Sequence, residues 1–186
     1  MCIRDRLITC ELIYVFADPA SQTAKPVPDA LRSLLARFEA GEAMAEIKTG
    51  DWATLGADAA KVRTAVFVQE QGIPPEMEWD EADSTAVHAV AYNGLGQAIA
   101  TGRLIGNDGA VGKIGRMAVH RAVRGTGVGQ QILDALVNAA RQRGDTEVVL
   151  YAQRSAEGFY ARLGFVPRGE PFEEAGIVHI EMLHRL

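Results

Sequence analysis

Arg124-Gly125-Thr126-Gly127-Val128-Gly129 is the segment whose residue types and spacing best suit chemistry. Three glycines close together let a backbone turn tightly and leave no Cβ to obstruct a close ligand. The segment follows an apolar stretch, Ile114 to Val119, and opens an amphipathic run, so it stands between a strand and a helix. The first free N–H groups of such a helix, with the positive end of its dipole, suit a phosphate or pyrophosphate. A plain strand-to-helix connection is the other reading of a bare glycine-rich turn. Two nucleotide patterns fail here. A P-loop ends in Gly-Lys-Ser or Gly-Lys-Thr, whereas Gly129 precedes Gln130 and Gln131. A dinucleotide site needs Gly-x-Gly-x-x-Gly and an acid ending the next strand; the glycines here are evenly spaced, and Val148 to Gln153 carries no acid.

A second concentration of reactive groups is acidic: Glu70, Glu76, Glu78, Asp80, Glu81 and Asp83, with no Lys or Arg among them. One such carboxylate could accept a proton directly or through water; the plain reading is a solvated loop. Glu78 and Asp80 flank Trp79, whose amphipathic ring could wall a pocket, and come first as proton acceptors, with Glu70 next. His88, directly after the acidic run, and His179, near the C-terminus, also titrate in a useful range. The four histidines show no ligand spacing, and there is no cysteine after Cys10, so no metal is expected.

The elements that must position these groups alternate from Met44 onward. Ala45 to Thr49 reads as a strand and Ala53 to Gln69 as a helix with Leu55, Ala59, Val62, Val66 and Phe67 inward. Gln71 to Thr85 reads as a long acidic loop. Val87–Tyr92, Gln97–Leu104 and Ala110–Val119 read as strands separated by Asn/Gly turns. Val128 to Arg143 is predicted helical, stopped by Gly144. Glu147 to Gln153 reads as a strand buried on both faces, Ala156 to Leu163 as a short helix, and Phe165–Arg168 with Val178–His184 as a closing pair. Strands alternating with helices predict an α/β fold.

Composition bounds the rest. The chain has 186 residues, 48% of them hydrophobic, and a net charge of −5. That suits one folded domain with an appendage and argues against nucleic-acid binding by bulk charge. Without an apolar run of about 18 residues, no membrane span is expected, and without a signal-peptide plan the cytoplasm is the default location.

Arg124-x-x-Gly127-x-Gly129 resembles the acyl-CoA pyrophosphate loop of GNAT-type N-acetyltransferases. Gln153-x-x-Ala156-x-x-Phe159-Tyr160-x-x-x-Gly164-Phe165 resembles that family's second signature, in the family's order and separation. Val66 to Pro74, Glu78-Trp79-Asp80 and Glu174 to His179 resemble an uncharacterised bacterial subgroup. The resemblance spans about Met44 to Leu186. It implies a mixed, mostly antiparallel sheet with splayed middle strands and flanking helices. It also implies acetyl transfer from acetyl-CoA to a primary amine of a small molecule or protein by direct attack. The alternative is a non-catalytic acyl-CoA-binding sensor on the same fold. On the first reading, Tyr160 is the general acid toward the thiolate, with Glu78 or Asp80 as base. The backbone of Met117, Ala118 and Val119, the loop Arg124, Gly125, Thr126, Gly127, Val128 and Gly129, and Gln153 hold the cofactor. Glu70, Trp79, His88 and His179 face the substrate, the acidic run draws in a cationic amine, and Arg103 and Arg116 are candidates for an acceptor carboxylate. A homodimer is compatible with this reading.

Residues 1–43 lie outside the resemblance. Leu12 to Phe16 reads as a strand, and Asp29 as the cap of a helix over Ala30–Glu39 with Leu31, Leu34, Leu35 and Phe38 on one face. Tyr14-Val15-Phe16-Ala17-Asp18 and Pro28-Asp29-Ala30-Leu31-Arg32 resemble the closing strand and helix of a hot-dog-fold acyl-CoA thioesterase. Too little is present for a thioesterase site. Met44-Ala45-Glu46-Ile47-Lys48 reads as a fresh start, so residues 1–43 are read as a read-through or gene-prediction extension; a genuine N-terminal arm is the alternative.

Overall fold

The computed structural model describes residues 15–107 and 110–186, apart from the side chain of Asn107. The chain divides into two units, Met1–Glu42 and Ala43–Leu186. In the first, β1 (Ala17–Asp18) pairs antiparallel with β2 (Thr23–Ala24), and α1 spans Asp29–Glu39. The strand expected over Leu12–Phe16 falls mostly outside the described residues, and Val15 and Phe16 are not in a strand. Asp29 does not cap α1: Pro28 takes the N-cap position, and a proline has no side-chain oxygen to offer the first amides. No residue of α1 is buried, and Leu35 and Phe38 are exposed.

The second unit is a seven-stranded sheet in the order β3-β4-β5-β6-β7-β9-β8. Its strands are β3 (Ala45–Gly50), β4 (Val87–Asn93), β5 (Ala98–Asn107), β6 (Val111–Val119), β7 (Glu147–Gln153), β8 (Val166–Glu174) and β9 (Ile177–Arg185). Every pairing is antiparallel except β6 with β7, which are joined by the crossover helix α4 (Val128–Arg143). Alternation along β4 divides the core between two faces. Ala89 and Ala91 pack with Ile132, Leu133 and Leu136 of α4, while Val90 packs with Leu55 and Ala59 of α2 (Trp52–Arg63). Asp51 caps α2 by accepting from the Thr54 amide at 2.9 Å.

Three expectations are corrected. The first helix does not run uniformly to Gln69; it passes at Thr64 into a π-helical stretch ending at Glu70, a widened turn often found at functional sites. The presumed acidic loop is structured, holding α3 (Pro75–Glu78) and a 3₁₀ turn over Glu81–Ser84. Its carboxylates are anchored by arginines from distant elements, which local sequence does not display. Strand β7 is not buried throughout, because Tyr151 is 40% exposed on one face. The short helix, α5, spans Glu157–Arg162.

Residues 43–186 enclose their own core. A chain begun at Met44 is therefore expected to stay soluble and to melt within a few degrees of the full chain. Aggregation, or a large fall in Tm by calorimetry, would make residues 1–43 an integral part of the fold.

Candidate active site

Two neighbouring strands part at the centre of the sheet. Strands β6 and β7 pair only from Val111↔Glu147 to Ile114↔Leu150. Beyond that point β6 stays with β5 as far as Val119, and β7 stays with β9 as far as Gln153. The facing edges, residues 115–119 and 151–153, have no strand between them. A bulge marks the divergence: Arg103 pairs with Gly115 and Thr101 with Ala118, so β6 carries an extra residue. Arg116 sits there with φ +52°, a left-handed conformation that is unfavourable for a side chain of its size. Such a bulge bends its strand and re-aims the residues beyond it.

Two clefts open along this gap, of about 430 and 800 Å³. Both are lined by Gln71, Met117, Gln153, Ala156 and Tyr160, so they meet at the fork.

The larger cleft runs past Val119, Arg124, Gly125, Gly127 and Gly129 to Phe159 of α5. Gly127 has φ +87°, and a Cβ there would meet no protein atom within 4 Å. The loop is therefore both strained for other residues and open to a ligand. The first backbone bond into α4 joins the Gln131 amide to the Gly127 carbonyl at 3.1 Å. The amides of Val128, Gly129 and Gln130 precede it and have no helical acceptor. Arg124 is not a free cation: it forks onto both oxygens of Glu70 at 2.7 Å and donates from Nε to the Val119 carbonyl at 3.0 Å. Its hydrogen bond holds the Glu70 carboxyl below the usual range. That corrects the expectation of Glu70 as an acceptor-side group, since it belongs to the glycine loop. The side chains of Ala118 and Val128 are buried in the core, and the Thr126 hydroxyl donates to the Val123 carbonyl at 2.7 Å. The first two can reach a ligand only through backbone.

The smaller cleft holds the charges. Arg63, 1% exposed, donates from Nε to Glu78 Oε1 at 2.5 Å, from Nη1 to Asp83 Oδ1 at 2.7 Å and from Nη2 to the Glu78 carbonyl at 2.7 Å. Arg103 grips both oxygens of Asp80 at 2.6 Å and reaches Asp83 at 2.7 Å. Arg116 lies 3.2 Å from Asp80 and 3.5 Å from Glu78. Three guanidinium groups therefore cancel three of the six carboxylates and Arg124 a fourth, so the expected anionic field is reduced to Glu76 and Glu81. Asp80 is a poorer base than an ordinary aspartate, because the Arg103 hydrogen bond outweighs its burial and holds its carboxyl down. Glu78 differs: burial pushes its carboxyl up, and Arg63 and Arg116 only partly offset that. Its described partners engage Oε1, and the residue lines the cleft. Two further expectations are corrected. His88 lines neither cleft; it is buried beneath Trp52, its ring 5.0 Å away, and Nε2 lies 2.9 Å from the Asp83 carbonyl. Burial lowers its pKa, so it stays neutral as a structural group. Trp79 also stands outside the cleft lining, stacked on the Arg63 guanidinium at 4.6 Å.

Tyr160 stands where the clefts join. It is 8% exposed, with Phe159 and Phe165 edge-on at 4.9 and 6.0 Å. Burial pushes its phenol up to about 12, so it is fully protonated at neutral pH. Gln153 Nε2 donates to Gln71 Oε1 at 3.2 Å, linking β7 to the end of the π-helical stretch. His179 lines the smaller cleft, stacked 5.9 Å from Phe172, with Nδ1 2.8 Å from the Ile177 carbonyl. A proton on Nδ1 satisfies that contact and leaves Nε2 as an acceptor.

Arg63, Lys113 and Tyr151 escaped the sequence reading. Arg63 had a visible signal, being a charge beside Val62 in the inward stripe of a helix. For Lys113 and Tyr151 the parted strands create the site, and no local pattern announces them.

A split parallel pair beside a glycine cradle, inside an otherwise antiparallel sheet, defines an acyl-CoA N-acyltransferase fold. The model of the acetyltransferase (GNAT) domain matches residues 55–186, and the chain belongs to this family. The uncharacterized N-acetyltransferase YjcF of Bacillus subtilis is 39% identical over 127 residues, covering 68% of this chain and 89% of that protein. The crystal structure of a putative N-acetyltransferase from Lactobacillus plantarum superposes with a TM-score of 0.71 at 32% identity, covering 77% of this chain and 99% of the other. A GNAT family acetyltransferase from Elizabethkingia anophelis, solved with acetyl-CoA bound, shares the fold at 17% identity (TM-score 0.60, 78% of this chain and all of the other). Among the described residues, no helix is long and apolar enough to cross a membrane, and no group of three or more His, Cys, Asp or Glu side chains could hold a metal ion.

Proposed function

We propose that this chain moves an acetyl group from acetyl-CoA to a primary amine by direct attack within a ternary complex. The observation that carries the reading is the meeting of two clefts at Tyr160. A cofactor-only binder would need the larger cleft and have no use for the second. The larger cleft fits the cofactor on two counts. The unpaired amides opening α4 suit a pyrophosphate, and the unpaired edges of β6 and β7 accommodate an extended pantetheine arm hydrogen-bonded like a strand. When bound, the thioester supplies an activated acyl carbon and a thiolate leaving group.

The residues divide the work. Glu78, held through Oε1 and raised by burial, takes a proton from the incoming ammonium. The freed amine nitrogen bonds to the acyl carbon as the carbon–sulfur bond breaks. Backbone amides on the unpaired edge of β6, at Met117 and Val119, face the oxygen on which charge develops. Tyr160 donates a hydrogen bond to sulfur. At a pKa of about 12 it is a weaker acid than an ordinary thiol, at about 8.5. Its contribution is therefore a hydrogen bond that strengthens as sulfur becomes negative. The attacking nitrogen sheds a second proton as the amide forms, which balances the one sulfur gains, and the proton held by Glu78 passes to solvent. Gln153 and Gln71 hold the junction between the clefts, and His179 lines the acceptor side.

Gly127→Val tests the cofactor half. It forces a β-branched residue to φ +87° and puts its side chain where the phosphates would lie. Acetyl-CoA affinity is expected to fall about tenfold or more, a loss of about 1.4 kcal/mol, in a protein that still melts cooperatively. Unchanged affinity by calorimetry would remove the loop from the site. The whole reading is tested by thiol release from acetyl-CoA across a panel of amines; tight cofactor binding with no transfer to any amine would favour the sensor alternative.

A further inference from the structure

The charges of the smaller cleft do not suit a polycation. Arg63, Arg103 and Arg116 cancel Glu78, Asp80 and Asp83, as described above. Two lining charges are left over. Glu174 is exposed at the β8–β9 turn and forms no ion pair among the described residues. Lys113, on β6, is half-buried, lines the cleft and likewise has no carboxylate partner among the described residues. Its ammonium instead sits 3.7 Å from the centroid of the Tyr151 ring. That ring meets Phe172 edge-on at 5.0 Å, and Phe172 stacks on His179. An aromatic strip thus crosses from β7 to the outer hairpin, with a positive charge seated at its β6 end. A cation held on an aromatic face is fixed in position while keeping hydrogen-bond donors for an anion. Gly115, two residues along β6 from Lys113, also lines the cleft, and a Cβ there would meet nothing within 4 Å, so this part of the wall is open.

Resting on the acetyltransferase reading, we infer that the acceptor is an amino-carboxylate. Its amine lies toward Glu78 and Tyr160, and its carboxylate is held by Lys113, with Arg116 the other cation of the same strand. The acceptor is thereby a free amino acid or an ω-amino acid. A polyamine or aminoglycoside would bring further positive charge onto Lys113 and find Glu78, Asp80 and Asp83 already neutralised, with Glu174 alone unpaired among the described lining acids. Lys113 is a specificity residue here, and the bond-making step is unchanged from that above.

The test uses the full chain, acetyl-CoA and thiol release. The acceptors are the common amino acids, β-alanine and 4-aminobutyrate, each beside its carboxamide, with spermidine as the polycation. At least one acid is expected to exceed its own carboxamide in kcat/KM by about tenfold, the order of one charge-assisted hydrogen bond. Lys113→Met, which keeps the apolar stem, is expected to erase most of that ratio by raising KM for the acid more than it lowers kcat. Lys113→Glu is expected to invert the preference. Calorimetry with acetyl-CoA checks that both variants keep the cofactor cleft. Carboxamides or spermidine acetylated as well as the acids by the unaltered enzyme would overturn the amino-carboxylate class while leaving acetyl transfer standing. A ratio unmoved by Lys113→Met would take the carboxylate away from Lys113. Tight acetyl-CoA binding with no transfer to any acceptor would overturn the enzyme reading and this inference with it.

Discussion

Tyr160→Phe is expected to lower kcat about a hundredfold, the order for removing one hydrogen-bond donor aimed at developing negative charge, while leaving acetyl-CoA affinity and Tm nearly unchanged. The substitution removes one oxygen and keeps the ring between Phe159 and Phe165. Burial alone shifts the phenol, with no hydrogen bond contributing, so its loss strands no other polar group. That distinguishes it from an ordinary buried tyrosine, whose removal costs about 1 kcal/mol of stability through a broken hydrogen bond. The pH dependence follows from the raised pKa. A phenol at about 12 stays protonated through neutral and mildly alkaline pH, so Tyr160 produces no fall in rate there. The acid limb of the profile belongs to the base. Glu78 lies above an ordinary glutamate, so the rate is expected to fall with acid at a correspondingly higher pH. Stopped assays of kcat from pH 5 to about 10, in both proteins, separate the roles. A variant with unaltered kcat would take Tyr160 out of the chemistry.

The glycine loop and Tyr160 were legible because each is a local pattern on a strand-to-helix turn or a short helix. Helix α4 was legible for the same reason, since its periodicity is strong and Gly144 ends it; β7 was legible as a short apolar run, which concealed the exposed face that carries Tyr151. The charge balance of the acceptor cleft was not. Six acids between residues 70 and 83 read as a field, yet the arginines that cancel three of them come from α2, β5 and β6, 15 to 38 residues away in sequence. Glu70 is claimed by Arg124 across 54 residues. The burial of His88 depends on Trp52, which crosses from α2 over the face of β4. Ion pairing and burial of this kind are properties of the assembled sheet. They also bear on the chemistry, because the Arg103 hydrogen bond holds the Asp80 carboxyl down while burial pushes Glu78 up.

Arg63 is the residue on which that assembly depends, and Arg63→Ala is expected to destabilise the fold by about 3–5 kcal/mol, the cost of leaving buried carboxylates unpaired. At the size of this chain that is a fall in Tm on the order of 10 °C. The guanidinium serves two carboxylates and one carbonyl, and lies against Trp79 and Trp52 at 4.6 and 5.7 Å. Without it Asp83 keeps only Arg103, and Glu78 keeps only the more distant Arg116. The pH dependence separates lost charge pairing from lost packing. In the unaltered protein, burial pushes Asp83 up, but hydrogen bonds from Arg63 and Arg103 together hold it below the usual range. Its stabilisation is therefore present above the ordinary aspartate value, about 3.9, and is lost only as pH falls through the lower folded value. Glu78 has the opposite sign: raised in the fold, it costs stability as pH climbs through its folded value. Removing Arg63 pushes both groups upward, so the variant takes up protons on folding and gains stability as pH falls from neutral. The gap between the two proteins in urea unfolding is expected to narrow from pH 7 to about pH 5. A gap that stays constant would assign the loss to the missing side chain packed between the tryptophans, and would remove Arg63 as an electrostatic partner of Asp83 and Glu78.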